Sequence, residues 1–344
     1  MTRPVHSLPK AHLHLHFTGS MRIETLQDLA DKHGLRLPAA LTADWPPRLR
    51  AATDERGWFR FQRLYDAARA CVQDEDDMRR IVREAAEDDA AEGSRWLEIQ
   101  VDPTSYAHFL GGITPTLEIV LDEARAATEV TGTGVAVVVA ASRTRHPFDA
   151  RALARLAARY AGEGPGTVVG FGLSNDERRG DTAEFAKAFS IARRAGLASV
   201  PHAGELLGPE HVRDALEHLA PDRIGHGVRS TEDPALLAEL ARRGTTLEVC
   251  PCSNVALGVY RQLSEVPLRQ LLDAGARVAL GADDPLLFGP RLAAQYETAR
   301  EDHELTDAEL ADLARGSIRG SRAPADRQAE MLAAVDDWLT VPAD

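Results

Sequence analysis

The chain has 344 residues, of which 44% are hydrophobic and 27% charged, and its formal net charge is −13. This composition is typical of globular proteins, and the acidic balance excludes a nucleic-acid or anionic membrane surface, because such surfaces need clustered Lys and Arg. With three cysteines and no leader-like or membrane-spanning segment, we expect a cytoplasmic protein with reduced thiols, one domain over residues 1–344 and a small-molecule substrate.

Short apolar or β-branched runs alternate along the chain with longer helical patterns. The runs predicted as strands are Ala11–Phe17, Arg95–Val101, Val135–Ala140, Val168–Leu173, Ala198–His202, Arg223–His226, Thr246–Cys250 and Val278–Gly281. The helical patterns after the second strand are Leu117–Thr128, Phe148–Tyr160, Thr182–Ala195, Pro209–His218 and Pro234–Arg242. Because strands that alternate with helices form parallel sheets, eight repeats predict an α/β fold, a (β/α)8 TIM barrel.

The segment between the first two predicted strands is too long for one crossover helix. Its helical patterns are Arg22–Lys32, Trp58–Ala70 and Met78–Ala91. They predict a helical insertion over about residues 22–91 that caps the mouth of the barrel. After the last strand, Thr306 and Glu309 match a capping box, and a further helix is expected over Pro324–Trp338.

Histidines alternate along the first predicted strand. His12, His14 and His16 face one side and leucines the other, so the histidines point into the barrel. Buried histidines without partners are costly, and zinc binds imidazole at roughly 2.0–2.1 Å. His14 and His16, near the end of the strand, are therefore candidate zinc ligands, with two structural histidines as the alternative. His12 lies one layer deeper and is not expected to bind the metal.

Reactive side chains also follow the C-terminal ends of other predicted strands, where barrel enzymes hold their active sites. His202 ends the fifth run and is a third candidate ligand. Glu205, beyond a glycine turn, suits a general acid or base, unless it only favours the dipole of the next helix. His226 lies between glycines and is expected to orient and deprotonate water. Asp283 and Asp284 follow the eighth run, and one of them is expected to complete the metal site.

Together these motifs resemble the adenosine deaminase family of the amidohydrolase superfamily. Residues 8–16 (L-P-K-A-H-L-H-L-H) are similar to the family opening L-P-K-x-E-L-H-x-H, and H-A-G-E, G-H-G and D-D-P follow in the family's order. The resemblance implies one Zn²⁺ per chain, held by His14, His16, His202 and Asp283. It also implies that Glu205 protonates purine N1 and that Asp284 binds purine N7. His226, with Asp283, would then handle the attacking water.

The implied reaction is hydrolytic deamination of a 6-aminopurine nucleoside to an inosine-type product and ammonia. Thr18 stands where the family has an aspartate for a free 5′-hydroxyl, and Asn175 stands where a glycine amide meets purine N3. Arg178 adds positive charge near the mouth, although a solvated arginine is the ordinary alternative. The combination resembles the branch that deaminates 6-aminodeoxyfutalosine in menaquinone biosynthesis, or an enzyme for another 5′-modified adenosine. Adenosine or adenine deaminase proper is the alternative.

The resemblance also implies that Gly204 contacts the substrate and that part of the insertion covers the ribose. The apolar residues of that lid are Phe59, Phe61, Leu64 and Tyr65. An amphipathic helix packed on the barrel is the alternative. Another amidohydrolase reaction is disfavoured, because Val168–Leu173 contains no lysine to bridge two metals. A barrel that only binds a nucleoside is disfavoured because binding alone needs no proton donor such as Glu205.

Overall fold

Eight parallel strands form one sheet in sequence order in the computed structural model, which describes residues 2–49 and 55–340. The strands are β1 (Lys10–His16), β2 (Ser94–Val101), β3 (Gly134–Ser142), β4 (Val168–Ser174), β5 (Ala198–Ala203), β6 (Arg223–His226), β7 (Thr246–Val249) and β8 (Arg277–Leu280). Each coincides with a predicted strand to within one or two residues at either end. Met1, residues 50–54 of the predicted insertion and residues 341–344 lie outside the described residues.

The sheet closes into a barrel where the chain after β8 meets β1. The His16 N–H donates to the Asp283 carbonyl at 3.0 Å, and the Asp283 N–H donates to the His14 carbonyl at 2.9 Å. These two bonds form a parallel bridge between Leu15 and Asp283. The predicted (β/α)8 barrel is therefore confirmed, and closure leaves the sheet without an edge in this region.

Helices surround the barrel and connect its strands. They are α1 (Ile23–Lys32), α2 (Glu55–Arg69), α3 (Glu75–Ala91), α4 (Ala107–Leu110), α5 (Ile113–Thr131), α6 (Pro147–Arg159), α7 (Ala186–Arg194), α8 (Pro209–His218), α9 (Pro234–Arg243), α10 (Pro251–Ala256), α11 (Leu268–Asp273), α12 (Pro285–Phe288), α13 (Leu292–Glu301), α14 (Asp307–Gly320) and α15 (Ala325–Thr340). Across residues 2–49 and 55–340, no helix combines the length and apolar character needed to cross a bilayer.

The apolar runs of the sequence become strands because both faces of the sheet are covered. β3 is a nearly continuous run of Val and Ala, and it is buried along its whole length except at Ser142. Such a run is expected when helices pack on the outer face and side chains fill the barrel inside. The site residues therefore stand on a rigid framework whose strand ends meet at one rim.

The predicted insertion and terminal helices are present. α1, α2 and α3 lie between β1 and β2. Thr306 caps α14 as predicted, since its side chain accepts the Glu309 N–H and the Glu309 carboxylate accepts the Thr306 N–H. α15 begins at Ala325, directly after Pro324.

Candidate active site

The residues predicted as metal ligands meet at the rim of the barrel. They are His14, His16, His202 and Asp283. Asp283 Oδ1 lies 3.7 Å from His14 Nε2 and 3.2 Å from His16 Nε2. The Nε2 atoms of His16 and His202 are 3.3 Å apart. The ring centroids of His14 and His202 are 4.7 Å apart, so these two rings are also neighbours.

Two of these ligand-atom separations, 3.2 Å and 3.3 Å, match those around one tetrahedral zinc ion, and the third, 3.7 Å, is slightly longer. Ligands at roughly 2.0–2.1 Å from such an ion lie about 3.3–3.4 Å from one another. The donor set, three imidazoles and one carboxylate, is also one that zinc binds. Within the described part of the chain, the buried His14 Nε2 has no hydrogen-bond partner. A buried polar atom of this kind needs a partner, and a metal ion at this position would supply it.

His14 is oriented by a buried chain of charges that runs through the barrel. Its Nδ1 lies 2.8 Å from Glu248 Oε2, so the carboxylate accepts Nδ1–H and leaves Nε2 free to bind a metal. Arg223 donates to Glu248 at 2.6 Å and to Glu98 at 2.6 Å. Glu248 and Arg223 were missed in the sequence, although a glutamate inside an otherwise apolar strand is a signal for a buried polar partner.

Asp283 has a backbone and side-chain environment suited to a ligand. Its φ is +63°, which turns the chain at the end of β8 and directs the carboxylate into the cavity. Ser253 donates to its Oδ2 at 2.6 Å, which leaves Oδ1 facing the histidines. Burial alone would raise the pKa of Asp283. The His16 hydrogen bond and the neighbouring imidazoles outweigh burial and hold that pKa well below its ordinary value.

Glu205 is buried beside this cluster with a carboxyl oxygen directed at His226. The distance from Glu205 Oε1 to His226 Nε2 is 3.6 Å. Burial and the negative charges of Asp283 and Glu177 raise the pKa of Glu205 well above its ordinary value. A glutamate that keeps its proton near neutral pH is able to act as a general acid.

His226 stands at the end of β6 with a positive φ of 64°. The preceding glycine allows the close approach of strands, because a Cβ at Gly225 would lie 2.9 Å from His14 Cε1. Burial and the charge of His14 lower the pKa of His226 to about 4. A neutral imidazole in this position is able to accept a proton from a reacting water molecule.

Asp284 faces the cavity next to Asp283. Gly19 approaches it so closely that a Cβ on Gly19 would lie 1.8 Å from Asp284 Oδ1. Asp284 Oδ1 is buried and, among the described residues, has no hydrogen-bond partner. The same holds for both side-chain polar atoms of Gln100, at the end of β2. These unpartnered groups indicate that the cavity is built for a polar ligand.

A cavity of about 430 Å³ opens above the ligand cluster. Predicted substrate contacts that line it are Thr18, Phe61, Tyr65, Asn175 and Asp284. Asn175 has a φ of +80°, and its side chain accepts the Asp176 N–H at 2.7 Å. Arg178 instead pairs with Asp176 at 2.8 Å, and its neighbour Arg179 lines the cavity. The Gly204 N–H donates to Glu177, and neither residue is among the described residues that line the cavity.

Thr18 is paired with a residue that was missed in the sequence. Its Oγ1 lies 2.5 Å from the hydroxyl of Tyr106, which is buried after β2 and lines the cavity. Gln100 lies at the end of β2 and Tyr106 follows that strand, so the rule that located the histidines also applied to them. Their neutral side chains lack the metal-ligand signature that made the histidines conspicuous.

Helix α2 covers the cavity, as predicted for a lid, and it also packs on the barrel as an amphipathic helix. Phe61 and Tyr65 line the cavity, and the Phe61 ring stacks on Phe288 with a centroid distance of 6.0 Å. Leu64 packs against the apolar core. Phe59 lines the mouth of the cavity but is 64% exposed, so that side of the mouth is open to solvent.

His12 differs from the other two histidines of β1. Its Nδ1 lies 2.9 Å from Asp89 Oδ1, and its Nε2 accepts the Ala282 N–H at 3.0 Å. Both ring nitrogens therefore have protein partners. This arrangement agrees with the expectation that His12 does not bind the metal.

Comparison with known proteins gives one family and a consistent fold. The family model described as adenosine deaminase matches residues 9–338. A Streptomyces virginiae protein, whose name assigns it provisionally to the adenosine/adenine deaminases, is 66% identical over 97% of each chain. The crystal structure of an adenine deaminase from Arthrobacter aurescens has a TM-score of 0.86 at 30% identity, covering 99% of this chain and 100% of that one.

A second solved structure bears on the metal. It is an amidohydrolase from Burkholderia ambifaria with bound zinc, and it matches with a TM-score of 0.85 at 25% identity. The match covers 98% of this chain and 94% of that chain. The zinc belongs to that protein, whereas for this chain the fit to zinc rests on the ligand geometry described above.

Proposed function

Because the chain belongs to the adenosine deaminase family, we propose that it hydrolyses the 6-amino group of adenosine or adenine. Water replaces the amine, and the products are the 6-oxopurine and ammonia. The observation that carries the proposal is the convergence of four candidate ligand side chains beside the buried Glu205, whose Oε1 lies 3.6 Å from His226. A metal and an acid on one cavity are the two groups that this reaction requires.

The proposed metal is one zinc ion per chain, held by the ligand set described above. When bound, zinc acidifies water and stabilises negative charge at the reacting oxygen. Glu248 fixes the orientation of the proposed ligand His14, because its Oε2 lies 2.8 Å from His14 Nδ1. Asp283 serves as a ligand through Oδ1 while Ser253 occupies Oδ2.

The protein's own groups move the protons. Glu205 gives its proton to purine N1, so that negative charge does not build up on the ring as oxygen bonds to C6. His226, with Asp283, accepts a proton from the attacking water. That proton passes to the exocyclic nitrogen, the C6–N bond breaks and ammonia leaves. The second proton of the water then leaves the C6 oxygen as the C6=O bond forms, and it returns to the Glu205 carboxylate. Asp284 binds N7 through its protonated form, because N7 only accepts hydrogen bonds.

A 5′-modified adenosine, such as 6-aminodeoxyfutalosine, is a second candidate substrate. The cavity of about 430 Å³ falls within the range of about 300–1,000 Å³ for pockets that bury drug-sized ligands, which are larger than a free base. Thr18 and Tyr106 also place neutral hydroxyls where the family resemblance leads one to expect a carboxylate. The relatives reported above are named for adenosine and adenine. We therefore rank adenosine and adenine first, and a role in menaquinone biosynthesis would follow only from the second candidate.

The experiment is an ammonia-release assay with adenine, adenosine and 5′-substituted adenosines, together with metal analysis. The wild-type protein is expected to contain about one zinc per chain and to turn over adenine or adenosine fastest. Glu205→Gln should retain the zinc and lower kcat by about 10²–10⁴-fold. Glu210→Gln, an exposed glutamate on the next helix, is the control and should leave kcat unchanged.

Two results would contradict the proposed reaction, and a third would change the proposed substrate. Undiminished turnover by Glu205→Gln would remove Glu205 from the reaction. Absence of ammonia release from every aminopurine would favour a barrel that only binds its ligand. Fastest turnover of a 5′-substituted adenosine would replace the first-ranked substrates with the second candidate.

A further inference from the structure

Glu177 follows β4 and directs its buried carboxylate at the chain segment that carries Glu205. It is only 2% exposed. Its Oε2 accepts three successive backbone N–H groups, from Glu205 at 3.1 Å, Leu206 at 2.6 Å and Leu207 at 2.9 Å. Its Oε1 accepts the N–H of Gly204. One side chain thus binds every backbone amide of residues 204–207.

A second set of contacts connects the Glu177 carboxylate to β5, the strand that carries His202. His211 Nδ1 donates to Glu177 Oε1 at 2.8 Å, and His211 Nε2 lies 3.3 Å from the Thr182 hydroxyl. Arg143 donates to Thr182 Oγ1 at 3.1 Å and to the His202 carbonyl at 2.5 Å. The segment from His202 to Leu207 is therefore held at both of its ends by one network.

Only an ionised carboxylate satisfies all of these donors. Five N–H donors, four amides and one imidazole, meet two oxygens that together offer about four lone-pair sites, so they use the full acceptor capacity of an ionised carboxylate. Burial alone would raise the pKa of Glu177, but the hydrogen bond and charge of His211 outweigh it and lower that pKa. A glutamine at this position would offer one oxygen and would turn its own N–H groups towards amide donors.

The segment needs this support because it has little regular structure of its own. Gly204 has a φ of +72°, and α8 begins only at Pro209. Buried amides without partners would be costly, and here a side chain supplies the acceptors that a helix or strand supplies elsewhere. Both main-chain neighbours of Glu205 are fixed by Glu177, so the direction of the Glu205 Cα–Cβ bond is fixed too.

We propose that Glu177 is a positioning residue for the deamination, which holds residues 204–207 so that the Glu205 carboxyl faces the cavity. This inference rests on the proposed role of Glu205 as proton donor. Glu177 acts through the backbone and does not itself touch the substrate. A displacement of about 1 Å at a reacting group is enough to cost about 10²-fold in rate, so the loss of this support should be visible in kcat.

The test compares Glu177→Gln with the wild-type protein in two measurements. The variant is expected to lower kcat for adenosine by about 10²-fold while KM changes by less than about threefold, because purine contacts remain. Hydrogen–deuterium exchange at the amides of residues 204–207 should become faster in the variant. Zinc content should stay the same, since no ligand is altered.

Asp77→Asn is the matched control. Asp77 is also a buried carboxylate, and it accepts the N–H groups of Gln73 and Asp74 and a bond from His33, but at the start of α3. It is expected to lose stability as Glu177→Gln does and to keep kcat within about twofold of the wild-type value. This pair separates the positioning role from a general loss of stability.

His211→Leu provides a second variant should Glu177→Gln fold poorly. It removes one donor to Glu177 and leaves the four amide contacts, so a smaller decrease in kcat and a smaller increase in exchange are expected. Unchanged kcat in both variants, or a fall in kcat without faster exchange at residues 204–207, would overturn the inference. Absence of activity in the wild-type protein would count against the proposed function instead, and the exchange measurement would still test the contacts of Glu177.

Discussion

Glu248 shows how one residue, remote from solvent, sets the chemistry of another. It lies beneath His14 and accepts Nδ1–H at 2.8 Å, while Arg223 balances its charge from the other side at 2.6 Å. Glu248, on β7, therefore sets the tautomer of His14, on β1, although β8 lies between these two strands. Burial alone would raise the pKa of Glu248, but the Arg223 charge and the His14 hydrogen bond lower it, so the carboxylate is ionised.

Glu248→Gln is expected to weaken zinc binding by about 10–100-fold, because the amide is a poorer acceptor for Nδ1–H and no longer fixes the ring. Competition with a chromogenic chelator would measure the change in Kd. Glu98→Gln is the control, since Glu98 also binds Arg223 but does not touch a ligand. Equal losses of affinity in the two variants would show that charge balance, and not the contact with His14, is responsible.

Among single residues, the sequence predicts a functional role best when a reactive residue type stands at the end of a predicted strand. His14 and His202 met both conditions, and they lie together in the structure. Glu177 and Glu248 met only one condition each. Their partners are backbone amides or a histidine on another strand, so their roles depend on distances across the barrel that one sequence does not contain.

The elements differ in how strongly local sequence determines them. The eight strands are apolar runs with sharp ends, and their positions were predicted closely. The predicted helix over Thr182–Ala195 is a 3₁₀ turn, Thr182–Phe185, followed by α7. Helices α10 and α12 have six and four residues and were not predicted. Segments this short carry no period, and their conformation depends on packing against the barrel.

In the first turn of helix α3, the Asp77 carboxylate takes part in the capping box and also joins the helix to α1. The Asp77 side chain accepts the Asp74 N–H within a capping box, and it pairs with Lys32 and His33 at the end of α1. Burial alone would raise the pKa of Asp77. The Lys32 hydrogen bond and the capping amides outweigh burial and lower that pKa below its ordinary value of 3.8.

Asp77→Asn is expected to lower stability at neutral pH by about 1–3 kcal/mol, because buried donors lose a charged acceptor. The pKa of the folded state lies below that of the unfolded state, so the carboxylate stabilises the fold above about pH 4. This contribution is lost as the pH falls through the folded-state pKa. Urea unfolding from pH 7 to pH 3 should therefore show the difference between wild type and variant shrinking. A difference that stays constant with pH would contradict the charge-based explanation.

At the scale of the whole molecule, the proposed metal joins parts of the chain that are far apart. Its ligands come from β1, β5 and the segment after β8. An ion that binds only the folded state adds its binding free energy to stability. The barrel itself was predicted from the strand count. The extent of the domain, residues 1–344, stays a prediction.

Removal of the metal by a chelator is expected to lower Tm by about 5–10 °C. This estimate combines about 2.7 kcal/mol of stabilisation at a ligand concentration 100 times Kd with about 2–4 °C per kcal/mol for a large domain. Scanning calorimetry before and after chelation would measure the shift. Added zinc should restore Tm and added magnesium should not, because magnesium prefers oxygen ligands. An unchanged Tm after complete metal removal would contradict the prediction.

The bridge between Leu15 and Asp283 determines when the site can form during protein synthesis. During synthesis, the histidines of β1 leave the ribosome early, and the aspartate that faces them emerges only after most of the polypeptide. A nascent chain that ends before Asp283 lacks one of the four proposed metal ligands. The nascent chain therefore carries the histidines of β1 without Asp283 for most of translation, and the four residues of the proposed metal site come together only when the barrel closes.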